Sequence, residues 1–208
     1  MKHPASRELH AYWEKKRGNR AAPERGEIEP GAIRQVLSDA FILALDTDAG
    51  HPFRLAGTRV CALFGRELKS ESFIGLWAAA SQPVISDLLA ILGEEHIGTV
   101  AGVTAQSAMG EPVELELLLL PLSANRPSLA RTIGVLAPLQ VPRWLGEIAI
   151  GALTLGNRRH VGAALQSRVL PRFMAPRGRQ RLVVHQGGRG QSRTADSEPT
   201  RISRLTGH

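Results

Sequence analysis

The stretch "FRLAGTRVCALFGREL", residues 53–68, decides the fold. An apolar run, Phe53 to Ala56, stops at Gly57. One or two helical turns follow, Thr58 to Phe64, and Gly65 stops those. Glycine enters backbone conformations that other residues resist, so this bracketing predicts a tight exit from a strand into a very short helix, then a change of direction.

Working outward, "AFILALD" before this stretch reads as a buried strand and "DTDAG" as a turn, which makes residues 40–57 a hairpin. Asp46, Asp48 and Gly50 imitate the start of a calcium loop. The sixth and twelfth positions counted from Asp46 are His51 and Gly57 rather than the required Gly and Glu, so the turn reading stands and no metal site is assigned. Downstream, "ELKSESFIGLWAAA" gives short helical pieces. "SQPVISDLLAILGEEH" gives a longer helix, with Ser81 as its cap, Pro83 in its first turn, and an apolar face of Val84, Ile85, Leu88, Leu89 and Leu92. Three strands follow: "TVAGVTAQSA", "VELELLLLPL" and "RTIGVLAPL". Two strands, short helices, a longer helix and three antiparallel strands make an α+β layout in which one sheet receives both strand groups.

At the start, "SRELHAYWEKKRG" predicts a helix capped by Ser6, striped by Leu9, Tyr12 and Trp13, and ended by Gly18. A second helix opens at Pro30, with Ile33, Val36 and Leu37 facing one way. The chain therefore divides into an N-terminal helical extension (1–38), a central domain (39–146), a helix over 147–170 weakened by Gly151, Gly156 and Gly162, and a disordered Arg-rich tail (171–208).

The formal net charge of +7 is unevenly placed. Residues 1–156 carry 15 Lys and Arg against 17 Asp and Glu, whereas residues 157–208 carry 11 Arg against Asp196 and Glu198. The body has no reason to seek polyanions, and any nucleic-acid attraction belongs to the tail. A single cysteine excludes an internal disulfide and a multi-cysteine metal site. No signal-peptide pattern opens the chain, and no apolar run is long enough to span a membrane, so a cytoplasmic location with no membrane partner is expected.

The order of elements resembles the PAS fold, a five-stranded antiparallel sheet with short helices on one face, in which the second strand leads at once into a one-turn helix over the sheet. The segments "YWEKKRG" (12–18), "IEP" (28–30), "FRLAGT" (53–58) and "LFGREL" (63–68), with Trp77 downstream, resemble in particular a group of small single-PAS bacterial proteins. The likeness covers roughly residues 6–146. It implies a sensory or regulatory module in signal transduction, without its own catalytic output, that binds a small apolar ligand or associates with itself or a signalling partner. No kinase, cyclase or helix-turn-helix sequence follows.

The apolar residues expected to face the helical layer are Phe53, Leu55, Val60, Phe64, Trp77, Leu88 and Leu92, which either line a ligand pocket or pack against one another; Leu9, Tyr12 and Trp13 form the expected partner contact, with a cap docked on the core as the alternative. No cofactor is assigned. Cys61 lies in "RVCALFG", which lacks the Asn-Cys-Arg-Phe pattern of flavin photoreceptors of this class and reads as a small core residue. His96 ends the longer helix, where haem-binding members carry a histidine; a helix C-terminus favours histidine on electrostatic grounds alone. Glu114 and Glu116 share a strand face without a nucleophile or base nearby in sequence, and read as a solvated or salt-bridged outer face, with Arg54 a candidate partner. No hydrolase, nucleotide-loop or metalloprotease motif is present. The alternative function is nucleic-acid association through the arginine tail.

Overall fold

The computed structural model describes residues 1–123 and 130–162. Its strands are β1 (Ala40–Ala44), β2 (Phe53–Ala56), β3 (Gly98–Gln106), β4 (Pro112–Leu122), β5 (Arg131–Pro138) and β6 (Thr154–Val161). They form one antiparallel sheet in the order β2-β1-β5-β4-β3-β6. The two N-terminal strands thus join the same sheet as the later ones.

Both sheet faces are covered, and β4 shows why. Val113, Leu115, Leu117 and Leu119 face a core shared with α2 (Thr58–Phe64), a 3₁₀ turn (Ile74–Leu76) and α3 (Gln82–Glu95). Leu118, Leu120 and Leu122 face a second core, closed by α1 (Pro4–Arg17) and the segment after it. A strand buried on both sides cannot alternate, so "VELELLLLPL" begins as apolar-polar and ends as a continuous apolar run. α1 contributes Ala5, Leu9 and Trp13 to this outer core, and residues 28–36 add Ile28, Ile33 and Val36. The Trp13 indole N–H donates to the Pro121 carbonyl at 2.8 Å, which fixes α1 across the sheet.

The sheet has a sixth strand where a helix over 147–170 was expected. Residues 154–161 pair with β3, from Gly98↔Val161 to Thr104↔Thr154. Three glycines penalise a helix there, and the free edge of β3 supplies backbone partners that a strand can use. The chain reaches β6 through a strap over the helical layer. The Ile150 N–H donates to Leu63 O, and Leu153 exchanges backbone hydrogen bonds with Leu76 and Ala78, while both side chains enter the inner core.

Other local expectations shift. α1 starts at Pro4, and its N-cap is His3, whose Nδ1 accepts from the Ala5 N–H; Ser6 is buried within the helix. The helix foreseen at Pro30 is a single 3₁₀ turn, Pro30–Ile33. Ser81 precedes α3 but does not cap it: its Oγ accepts from the Leu155 N–H and so anchors β6. "DTDAG" is a turn closed by Asp46 Oδ1 and the Asp46 carbonyl. The expected tail, residues 171–208, lies outside the described residues.

Candidate functional site

The junction quoted at the outset is built by carbonyl groups from an earlier segment. A Cβ on Gly57 would sit 2.2 Å from Leu37 O and 2.4 Å from Ser38 O, so glycine is required there by close approach of another backbone. Ser38 O accepts from the N–H groups of Arg59 and Val60, which are first-turn donors of α2 with no intrahelical partner. Gly57 N–H donates to Ala40 O. Beside this seam, buried Asp39 pairs with Arg59 at 2.8 Å. Burial pushes the Asp39 carboxyl above its ordinary pKa, against the pull of Arg59. At the other end of α2, Gly65 adopts φ 64° and its N–H closes the last turn. The beginning of the helical layer is therefore stitched to the segment that runs over the opposite sheet face.

Of the expected pocket residues, Phe53, Val60, Phe64, Trp77, Leu88 and Leu92 come together in the inner core. Around them Phe41, Phe53 and Phe73 stand within 5.7 Å of one another by ring centroid, and Trp77 meets Phe73 edge-on at 5.7 Å. Trp77 Nε1 is buried without a hydrogen-bond partner. Leu55 does not join this group. The register passes from Leu43↔Phe53 to Ile42↔Leu55, which leaves Arg54 as an extra residue in β2. This bulge turns Leu55 to the outer face, where it is 44% exposed.

Leu9 and Trp13 are buried in the outer core, so α1 presents neither to a partner while it is docked. Tyr12 is half-buried; its hydroxyl donates to Glu27 O and accepts from the Glu29 N–H, tying α1 to the next segment. Cys61 packs in the inner core, where burial pushes its thiol above the ordinary value. His96 takes a left-handed conformation at the C-cap of α3. The expected pairing of Arg54 with Glu114 or Glu116 is not made. Arg54 is exposed on β2, and Glu116 accepts from the N–H groups of Lys2 (2.6 Å) and His3 (3.0 Å) at the start of α1. Burial works to raise the Glu116 pKa, but these amides and the N-terminal ammonium hold it below the usual carboxylate range. Glu114 is exposed. Among the described residues no group of three or more His, Cys, Asp or Glu is placed to hold a metal, and no helix is long and apolar enough to cross a membrane.

Among the described residues, clefts open on or beside the outer side of the sheet. One of about 660 Å³ lies over β3, β4 and β6, between Lys2, Glu114 and Arg159. One of about 730 Å³ lies between the start of α1 and residues 139–142. The third, about 460 Å³, lies between residues 25–38 and the β1–β2 hairpin, against Ile28, Ile33, Ile42, Leu55 and Ile133. Sequence reasoning missed this last cleft and the Ser38 seam, although Ile28 and Ile33 between Arg25 and Arg34, with Leu37 beyond, were a usable signal.

A single antiparallel sheet with short helices on one face, and a strand running directly into a short helix, define the class of fold. A family model described as PAS domain matches residues 1–137, and the chain belongs to the PAS-domain family. No curated protein matches it. The matched region includes α1 and ends within β5; the strap and β6 lie beyond it.

Proposed function

We propose that this chain is a sensory or regulatory module of signal transduction, working by small-ligand binding and protein association rather than by a reaction of its own. The observation that carries this reading is the seam at Ser38. One carbonyl on the outer-face segment holds two amides of α2, so a rearrangement in the helical layer pulls on the segment that follows α1. The orphaned Trp77 Nε1–H supports a ligand acceptor atom, or a water, within the inner group of Phe53, Val60, Phe64, Trp77, Leu88 and Leu92. Partner contact through Leu9 and Trp13 requires α1 to leave the sheet; Tyr12 and the charged flank of α1 are the parts it offers while docked.

The reading is tested by native mass spectrometry of the freshly purified full chain together with amide exchange. A retained small molecule or a dimer, with exchange in α2 and in residues 28–40 changing together on its removal, is the expected result. A bare monomer in which these two segments exchange independently overturns the reading.

Exposed Arg158 and Arg159 on the edge strand β6 favour a second reading, nucleic-acid association continued by the arginine tail. Salt-sensitive RNA or DNA binding that is lost on removal of residues 163–208 and on charge reversal of both arginines is its signature.

A further inference from the structure

We propose that the cleft between residues 25–38 and the β1–β2 hairpin is a binding site for an aliphatic monocarboxylate, an amphiphile of the fatty-acid class. The cleft is about 460 Å³, a size that suits a small ligand. Its floor and walls are hydrocarbon: Ile28, Pro30, Ile33, Ile42, Leu55 and Ile133. The bulge at Arg54 is what delivers Leu55 here, and among the described residues Leu55 is a large apolar side chain left exposed. Apolar surface left open in this way gains by burying a chain of methylene groups.

The polar complement is cationic. Arg25 and Arg34 line the same cleft, both exposed, and among the described residues neither has an ion-pair partner. A guanidinium presents a planar fork of donors that matches a carboxylate. An apolar trough with two uncommitted arginines thus fits a ligand with one anionic end and a hydrocarbon body. An added peptide strand fits less well, because Phe53 on the neighbouring edge already donates to Glu71 O and accepts from the Ser70 N–H. The site also touches the seam: Ser38, Gly57 and Thr58 line it. Binding there would bear on the N-terminus of α2 from the outside. This consequence rests on the regulatory reading; the binding itself does not.

The test uses the full chain and sodium decanoate below its micelle-forming concentration, followed by isothermal calorimetry, with decanol as the uncharged control. Saturable binding of one decanoate per chain is expected. Reversing both charges (Arg25→Glu with Arg34→Glu) should weaken it at least about tenfold, and should bring decanoate down to the level of decanol while leaving the melting temperature unchanged. Leu55→Glu, at an exposed position that tolerates a charge, should also abolish it. Absence of saturable binding overturns the proposal. So does binding whose affinity is undiminished in both variants, which would place the hydrocarbon in the inner core. If decanoate binds as expected but amide exchange in α2 does not change, the site stands and the regulatory reading is what fails.

Discussion

Trp13 illustrates how much one side chain holds. It is fully buried, spans the outer core and gives its only polar hydrogen to Pro121 O. Trp13→Phe should destabilise the chain by about 1–3 kcal/mol, since it strands a buried acceptor and removes ring volume. Urea unfolding checks this, and an unchanged midpoint would show that α1 is not fixed by this contact. Gly57 is constrained differently. A methyl group there overlaps two backbone carbonyls, which cannot move as a flexible side chain can. Gly57→Ala should cost about 1–3 kcal/mol and raise exchange of the Arg59 and Val60 amides selectively. Glu116 carries a pH signature. Its folded pKa is depressed, so the stability it contributes is complete above the unfolded carboxylate value and is lost as pH falls through the folded one. Between pH 7 and the mild-acid range little should change; below the ordinary value near pH 4.5 stability should fall, and Glu116→Gln should flatten that part of a pH-melting profile.

Among the elements, α1 was legible as a helix from Leu9, Tyr12 and Trp13, but its destination was not. An apolar stripe states that a helix must bury one side, not whether its own sheet or another molecule covers it. Removing residues 1–17 would uncover Leu118, Leu120 and Val135, so the shortened chain should bind a hydrophobic dye and aggregate; a well-folded monomer would argue that α1 is dispensable. The junction at residues 53–68 was legible because glycine placement reports backbone demand directly. The reason for Gly57 was hidden, since Leu37 and Ser38 meet it only in three dimensions. Leu55 was misplaced because period-two counting assumes an unbroken strand, and Arg54 breaks it without any glycine to announce the fault. β6 was misassigned because its partner, the edge of β3, is fifty or more residues earlier in the chain, and pairing of this kind leaves no local periodicity.

For the molecule as a whole, the folded unit is larger than the portion matched by the family. Ile150 and Leu153 are buried in the inner core and β6 covers the edge of β3, so a chain ending at Pro138 should melt well below one ending at Gly162, or fail to fold. Equal thermal stability of the two would show the strap to be a passive appendage. The two cores lie on opposite faces of one sheet, and in β2 the bulge sends two positions of the same parity, Phe53 and Leu55, to different sides. That offset has a practical use. Environment-sensitive labels at positions 53 and 55, little more than a rung apart in the chain, would watch two separate compartments, and their relative timing after a perturbation would reveal which side of the partition moves first.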